Sequence, residues 1–206
     1  MIISSLKKIN NFGVKRFFVF ILVRQYLNIK KLFYFIFLSD NKPDFNLRSI
    51  IQPTQFVGRG KISIAKTSGI GVWPSPQLLS GYAYFEARGK DSLITIGERT
   101  FINNSATIIA DRTFISIGDD CLVGQNVSIF DSDFHGVELE NRYNGVYECS
   151  PVNVGNNVFI GANVTILKGV TVGDGSVIGN GSIVIDDVMP MSIYVGVPAR
   201  FIKEIK

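Results

Sequence analysis

The stretch VGNNVFIGANVTILKGVTVGDGSVIGNGSIVIDDV, residues 154–188, repeats itself every six residues. Every sixth position carries a branched aliphatic side chain, and these residues are Val154, Ile160, Ile166, Val172, Ile178 and Val184. A period of six matches neither the 3.6-residue period of an α-helix nor the two-residue alternation of a strand. It is typical of a parallel β-helix, in which the chain turns a corner every six residues and points the aliphatic side chain inward.

The same period extends toward the N-terminus. Two further sets of three aliphatic residues obey it, namely Ile96, Ile102 and Ile108, and then Ile117, Val123 and Ile129. The tetrapeptides VNVG at 152 and VTVG at 170 begin 18 residues apart, which is one three-sided coil. ITIG at 94 and ISIG at 115 begin 21 residues apart, so one corner holds about three extra residues. We predict a mainly β protein with a β-helix over residues 50–206 and a helical segment over residues 1–40.

Composition excludes several classes of protein. The chain has 206 residues, enough for one main domain and an appendage, and a net charge of +4. Residues 1–40 hold seven basic residues and one acidic residue, so the positive charge is not spread over the β-helix. No RNP, zinc-finger or helix-turn-helix pattern accompanies it, and we expect no nucleic-acid partner. A single His and two Cys without zinc spacing provide no basis for a metal site.

The N-terminal segment is strongly apolar from 17 to 38, although five polar or charged residues interrupt it. Arg24, Gln25, Asn28 and Lys31 share one helical face, and Lys7, Lys8, Lys15 and Arg16 precede them. An amphipathic helix at a membrane surface and a helix packed on the β-helix or on a neighbouring subunit both fit this pattern. A membrane span fits less well, because no run of about 18 apolar residues exists. We expect a cytoplasmic protein, peripheral at the inner face of the cell membrane if the helix binds lipid.

Two segments interrupt the six-residue period. The first, residues 71–89, contains Trp73, Tyr82, Tyr84 and Phe85, which suit either a cap over the open coil end or an acceptor pocket. The second, residues 131–151, leaves the coil and returns in phase. It carries the single histidine, His135, and long loops inside compact folds are usually functional.

Three segments together resemble the hexapeptide-repeat acyltransferases, in the branch of galactoside and maltose O-acetyltransferases and surface-polysaccharide O-acetyltransferases. They are IFDSDFHG from Ile129, the repeats from Val154 onward, and GVPARFIKEI from Gly196. The resemblance covers Ile94 to Lys206. It implies a left-handed β-helix, a homotrimer with active sites between subunits, and acetyl-CoA as the acetyl donor.

The resemblance also implies roles for individual residues. His135 matches the catalytic histidine, which as a general base takes the proton from a sugar hydroxyl. Its orienting partner is open among Asp131, Asp133, Glu148 and a backbone carbonyl, and the two Asp residues alternatively shape the loop through Asx turns. The backbone amide of Ala162 matches the donor to the tetrahedral oxyanion.

Further positions concern the acceptor and the donor. Asn103 and Asp111 match residues that bind sugar hydroxyls, and Arg142 suits an anionic acceptor or a loop anchor. Ala162 and Asn180 lie along the expected path of the pantetheine arm, and Arg200 and Lys203 match phosphate-binding positions. Two residues depart from the family pattern: Phe159 replaces a frequent Trp, and Asp186 stands where a Lys is common.

We therefore expect an acetyl-CoA-dependent O-acetyltransferase that modifies a sugar in surface polysaccharide biosynthesis. An N-acetyltransferase acting on a nucleotide-linked amino sugar is the alternative, since the same fold and histidine serve both reactions. A non-catalytic scaffold does not explain a long histidine-bearing loop. The carbonic-anhydrase-like hexapeptide proteins need three His ligands, and this chain has one His.

Overall fold

The computed structural model describes residues 2–46 and 49–206, without the side chains of residues 2–12, 14 and 15. Residues from Thr54 onward form a parallel β-helix with three faces, each a separate sheet. The first face comprises β1 (Thr54–Val57), β4 (Ala83–Ala87), β7 (Thr107–Ala110), β10 (Ser128–Phe130), β13 (Thr165–Ile166) and β16 (Ile183–Val184). The second comprises β2 (Lys61–Ile64), β5 (Leu93–Ile96), β8 (Phe114–Ile117), β11 (Val152–Val154) and β14 (Thr171–Val172). The third comprises β3 (Gly69–Ile70), β6 (Phe101–Ile102), β9 (Leu122–Val123), β12 (Phe159–Ile160), β15 (Val177–Ile178) and β17 (Ser192–Gly196), and β18 (Ala199–Glu204) pairs antiparallel to β17.

The aliphatic residues that recur every six positions form the hydrophobic core. All twelve residues singled out by their spacing are buried, none with more than 4% of its surface exposed. They stack in register from coil to coil, as Ile102 does on Val123 and Val123 on Ile160. The residues four positions on, such as Val164 and Ser182, are also buried. The prediction of a parallel β-helix is confirmed.

Corners between the faces are the places where the chain departs from regularity. We call the turn from the first to the second face the first corner, the next turn the second corner, and the turn back to the first face the third corner. The extra residues expected from the 21-residue coil lie at the first corner, at 111–113, between β7 and β8. The loop of residues 131–151 leaves the next coil at the same corner.

Asn and Asp side chains connect successive coils at these turns. At the second corner the backbone N–H of Glu98 donates to Asp119 Oδ1 at 2.8 Å, and Asp119 N–H donates to Asn156 Oδ1 at 2.9 Å. Glycine precedes these residues because the stacked turns approach closely. A Cβ on Gly155 would lie 2.2 Å from Asp174 Oδ1. The corner ladder therefore satisfies amides that the short strands leave unpaired.

The N-terminal helix α1 runs from Ile2 to Phe37 and is interrupted at Gly13, where φ is 70°. Its later part packs on the first coils of the β-helix. Phe20 contacts the Trp73 ring and Tyr34 contacts the Tyr82 ring, with ring centroids 6.3 Å and 5.2 Å apart. Within the described residues, no helix combines the length and apolar character needed to cross a membrane.

One expectation about the aromatic residues is wrong. Strand β4 resumes the coil at Ala83, so Tyr84 and Phe85 belong to a regular strand rather than to the first interruption. Phe85 is fully buried in the core and stacks beside Phe56, with centroids 5.8 Å apart. Only Trp73 and Tyr82 remain outside, and both meet α1 as a cap would.

The inward and outward positions of one strand should differ sharply in their effect on stability. Replacing the fully buried Ile115 by Ala leaves a cavity and should lower the free energy of unfolding by about 2–5 kcal/mol. Phe114→Ala in the same strand removes a side chain that is 38% exposed and should cost clearly less. Urea unfolding of both variants measures the difference, and equal losses would contradict the inward orientation of Ile115.

Candidate active site

The histidine-bearing loop is closed at its base. Ser132 and Cys149 form an antiparallel bridge, and the Ser150 N–H donates to the Asp131 carbonyl at 2.8 Å. The N–H of Asp133 donates to the carbonyl of Glu148 at 3.2 Å. The loop is thus a protruding flap whose two ends are fastened to each other before the coil resumes.

Asp131 fastens the flap to the preceding coil. Its carboxylate is completely buried and accepts hydrogen bonds from the backbone of the three-residue insertion at 111–113. Oδ1 accepts from Asp111 N–H at 2.7 Å, while Oδ2 accepts from both the N–H and the hydroxyl of Thr113 at 2.9 and 2.8 Å. Asp131 therefore shapes the loop and does not orient the imidazole. The three-residue insertion at 111–113 in one coil therefore binds the start of the loop that leaves the following coil.

Phe134 sets the direction in which the chain enters His135. Its φ of 62° is unusual for an aromatic residue and is held by a hydrogen bond from its N–H to Ser132 Oγ at 2.9 Å. The guanidinium carbon of Arg88 lies 5.0 Å from the Phe134 ring centroid on one side, and Phe130 packs edge-on at 5.7 Å. Gly136 follows His135 because a Cβ there would lie 2.6 Å from the Asn141 carbonyl oxygen.

His135 itself is exposed and is oriented by a backbone carbonyl, one of the alternatives left open above. Its Nδ1 lies 3.1 Å from the carbonyl oxygen of Arg142. Since a carbonyl only accepts, Nδ1 carries the hydrogen in the neutral imidazole. Nε2 then holds the free lone pair, which is the state that a general base requires.

Asp111 lies beneath the flap rather than on its surface. The Tyr147 hydroxyl donates to Asp111 Oδ2 at 2.7 Å, and the guanidinium groups of Arg88 and Arg112 lie 3.5 and 3.6 Å from its carboxylate. The hydrogen bond to Asp111, together with burial, raises the pKa of the Tyr147 phenol. Arg112 also lies over the Tyr147 ring at 4.1 Å. The acceptor-binding role of Asp111 stays a prediction, and its present contacts hold the loop.

The remaining acidic candidates face the coil on the other side of the flap. Lys168 lies at the first corner of the following coil and pairs with Asp133 at 3.2 Å and with Glu148 at 3.3 Å. Lys168 therefore engages both carboxylates. The Arg142 side chain is exposed, and its backbone carbonyl is what contacts His135.

Three predicted residues occupy a different edge of the prism, the third corner. Asn103 follows β6, Ala162 follows β12 and Asn180 follows β15. The Ala162 N–H donates to Asn180 Oδ1 at 2.9 Å, so the amide expected to face the oxyanion already has a partner. Asn103 Oδ1 accepts from the next N–H in the chain, that of Asn104, at 2.7 Å. A single chain therefore presents His135 at one corner and these groups at another.

The predicted phosphate-binding residues lie on β18. Arg200 pairs with Asp186 at 2.8 Å, and both side chains are largely exposed. Such a surface pair contributes about 0–1 kcal/mol, so a phosphate can displace the carboxylate. Lys203 is exposed on the same strand. Across the residues that the structure describes, no group of three or more His, Cys, Asp or Glu is arranged to hold a metal ion.

Comparisons with known proteins agree with this architecture. Residues 151–186 match the family described as bacterial transferase hexapeptide (six repeats), and residues 114–142 match the hexapeptide repeat of succinyl-transferase. The galactoside O-acetyltransferase of Escherichia coli (strain K12) is 41% identical over 139 residues, which cover 68% of this chain and 64% of that protein. The match thus spans less than two thirds of this curated relative, and 42% and 54% of two others.

Solved structures show the same relationship. A galactoside acetyltransferase in complex with coenzyme A is 40% identical, with a TM-score of 0.54, over 68% of this chain and 64% of the other. The polySia-specific acetyltransferase NeuO is 31% identical, with a TM-score of 0.62, over 73% of this chain and 66% of the other. This chain belongs to the hexapeptide-repeat acyltransferase family. The predicted fold class, a left-handed parallel β-helix with an N-terminal helix, is confirmed.

Sequence reasoning missed several residues that position the histidine, above all Arg88, Phe134 and Tyr147. A signal for one of them was available. Arg88, Asp111 and Asp131 each follow a strand of the first face, so aligning successive coils at the first corner would have placed them together. The left-handed backbone conformation of Phe134 could not be predicted from the sequence, because aromatic residues rarely adopt a positive φ.

The two loop aspartates provide a matched test of how the flap is held. Asp131→Asn replaces one of two accepting oxygens by an NH₂ that faces N–H donors, and should lower the free energy of unfolding by about 1–3 kcal/mol. Asp133→Asn removes a partly exposed ion pair with Lys168 and should cost about 0–1 kcal/mol. Thermal or urea unfolding gives both values. A loss at Asp133 as large as that at Asp131 would contradict the assignment of Asp131 as the main anchor.

Proposed function

We propose that this protein transfers an acetyl group from acetyl-CoA to a hydroxyl of a sugar, in the biosynthesis of a surface polysaccharide. The observation that carries the proposal is the orientation of His135. Its Nδ1 lies 3.1 Å from the Arg142 carbonyl oxygen, so in the neutral imidazole Nε2 is the nitrogen with the lone pair, on an exposed flap. The relationship to galactoside O-acetyltransferase and to a CoA-bound solved structure supports the donor and the acceptor class.

The reaction follows from these groups. His135 Nε2 accepts the proton of the sugar hydroxyl while its oxygen attacks the thioester carbonyl carbon. The negative charge that develops on the carbonyl oxygen is stabilised by a backbone amide, for which we propose Ala162 N–H. Collapse of the tetrahedral intermediate breaks the carbon–sulfur bond, and the imidazolium returns its proton to the leaving CoA thiolate. No metal ion takes part in this scheme.

A neighbouring chain completes the site in this proposal. His135 lies at the first corner, whereas Ala162, Asn180 and Asn103 lie at the third corner of the same prism. In a homotrimer each groove between subunits is lined by corners of two chains, so the flap of one subunit can meet the third corner of the next. Residues Arg200 and Lys203 then supply the positive charge for the CoA phosphates.

The acceptor side suits a polyol that also carries negative charge. Arg88 and Arg112 are neutralised by Glu86 and Asp111, and the Glu86 hydrogen bond raises the pKa of Arg88. Arg142 has an exposed side chain next to His135 and can contact an acidic sugar. The structural relationship to NeuO, which is specific for polySia, supports this class of acceptor.

Removal of the imidazole is the direct test of the proposed base. His135→Ala should lower kcat by about 10²–10⁴-fold, because the variant lacks the proposed general base. Acetyl-CoA binding should persist, since the imidazole does not hold the donor. Transfer is measured by release of free CoA with neutral, acidic and amino sugars as acceptors.

The matched control is Glu138→Gln, an exposed substitution in the same flap that should leave transfer unchanged. Full activity of His135→Ala would contradict the proposal. Acetylation of amino groups with no transfer to hydroxyls would replace it by N-acetyl transfer.

Substitution of Asn180, whose Oδ1 accepts from the Ala162 N–H, provides a second kinetic test. The carboxamide of Asn180 must turn away from this N–H before a thioester oxygen can use it. Asn180→Asp holds the amide by a charge-assisted bond and opposes the oxyanion, so kcat should fall by about 10²-fold. Asn180→Ala removes the competing oxygen and should not lower kcat.

Asn156→Asp at the second corner is the control, because its side chain makes the same ladder contact with Asp119 N–H. It should retain transfer. An Asn180→Asp enzyme with unchanged kcat would show that a group other than the Ala162 amide stabilises the oxyanion.

A further inference from the structure

Helix α1 presents a continuous apolar face away from the β-helix. Large side chains follow one another on it at spacings of three or four residues up to Ile36, with Phe37 next to it, and between 49% and 71% of each is exposed. These residues, which we call the outer face, are Phe18, Leu22, Tyr26, Ile29, Phe33, Ile36 and Phe37. Soluble monomers rarely expose an apolar patch of this extent. The outer face therefore has the character of a surface that is covered in use.

The opposite side of the same helix is firmly attached to the protein. Leu27 is buried, and the Lys31 ammonium donates to the Ile50 carbonyl at 3.0 Å. Burial, together with the nearby Arg24 charge, lowers the pKa of Lys31. The ammonium of Lys30 is likewise drawn inward and donates to the Leu79 carbonyl at 3.0 Å. Helix packing on the β-helix thus does not use the outer face.

The charge of the segment indicates which surface covers this face. Seven basic residues and no acidic residue precede Asp40. Four of them, Lys7, Lys8, Lys15 and Arg16, precede the outer face in the chain. Parallel helices of a second copy would bring these like charges side by side, which is unfavourable. An anionic surface would instead be attracted to them, and each basic residue near such a membrane strengthens binding.

We propose that the outer face of α1 binds the surface of an anionic phospholipid bilayer. The apolar side chains enter the boundary between headgroups and acyl chains, with the helix lying along the surface. The contacts of Leu27, Lys30 and Lys31 keep the β-helix attached on the aqueous side. This inference rests on the helix alone and does not depend on the proposed acetyl transfer.

Vesicle co-sedimentation of the full-length protein tests the proposal. We expect binding to vesicles of phosphatidylcholine mixed with phosphatidylglycerol, and much weaker binding to phosphatidylcholine alone. The triple variant Leu22→Gln, Ile29→Gln, Ile36→Gln should bind the anionic vesicles at least about tenfold more weakly. A variant with Lys7, Lys8, Lys15 and Arg16 replaced by Gln should lose the preference for anionic vesicles.

The matched control changes three exposed apolar side chains remote from α1, namely Ile185→Gln, Met189→Gln and Ile202→Gln. It should bind the vesicles as the unchanged protein does. This result would distinguish binding through the outer face from nonspecific hydrophobic adsorption. Equal vesicle binding by the outer-face variant and the unchanged protein would overturn the proposal. The proposal would also be overturned if the outer-face variant had a smaller particle mass by light scattering and unchanged lipid binding. That result would mean that the outer face joins copies of the chain.

Discussion

Branched aliphatic side chains that fill a narrow triangular prism are the constraint on which the rest of this structure depends. Each coil contributes at least one such side chain per face, and the coils above and below pair with it in register, as Ile94 pairs with Ile115 and Ile115 with Val152. Burial of these side chains is nearly complete, and the parallel hydrogen bonds between coils follow from their alignment. This core is formed by inward-facing side chains, so a segment inserted at a corner leaves it intact.

That independence explains how the chain accommodates a protruding flap. Residues 131–151 leave and return at one corner, and Ile129 and Val154 on either side keep their places in the stack. The flap is then fixed by polar contacts to neighbouring coils, with Asp131 bound to the insertion below and Lys168 reaching from the coil above. The β-helix supplies a rigid scaffold, and in our proposal the flap supplies the general base. His135 is oriented within the flap itself, through the Arg142 carbonyl.

The sequence was sufficient to predict the core and the flap, because both are visible along the chain. A six-residue period identifies twelve inward aliphatic residues, and the break at residues 131–151, which contains the single His, identifies the loop. Contacts between the flap and its neighbouring coils were not visible: Tyr147 reaches Asp111 in the preceding coil, and Lys168 reaches Asp133 from the following coil. The capping role expected of Phe85 was wrong because it was inferred from the aromatic side chain alone. Phe85 lies in the regular strand β4 and points into the core.

In our proposal, the imidazole of His135 and the CoA thiol meet in a groove between two subunits. A crystal structure of the protein with CoA and an acceptor sugar measures this directly. We predict a trimer in which the CoA sulfur and a sugar hydroxyl both lie within about 3–4 Å of His135 Nε2, with Ala162 of the adjacent subunit beside the thioester position. A monomer, or a CoA molecule bound far from His135, would contradict the account.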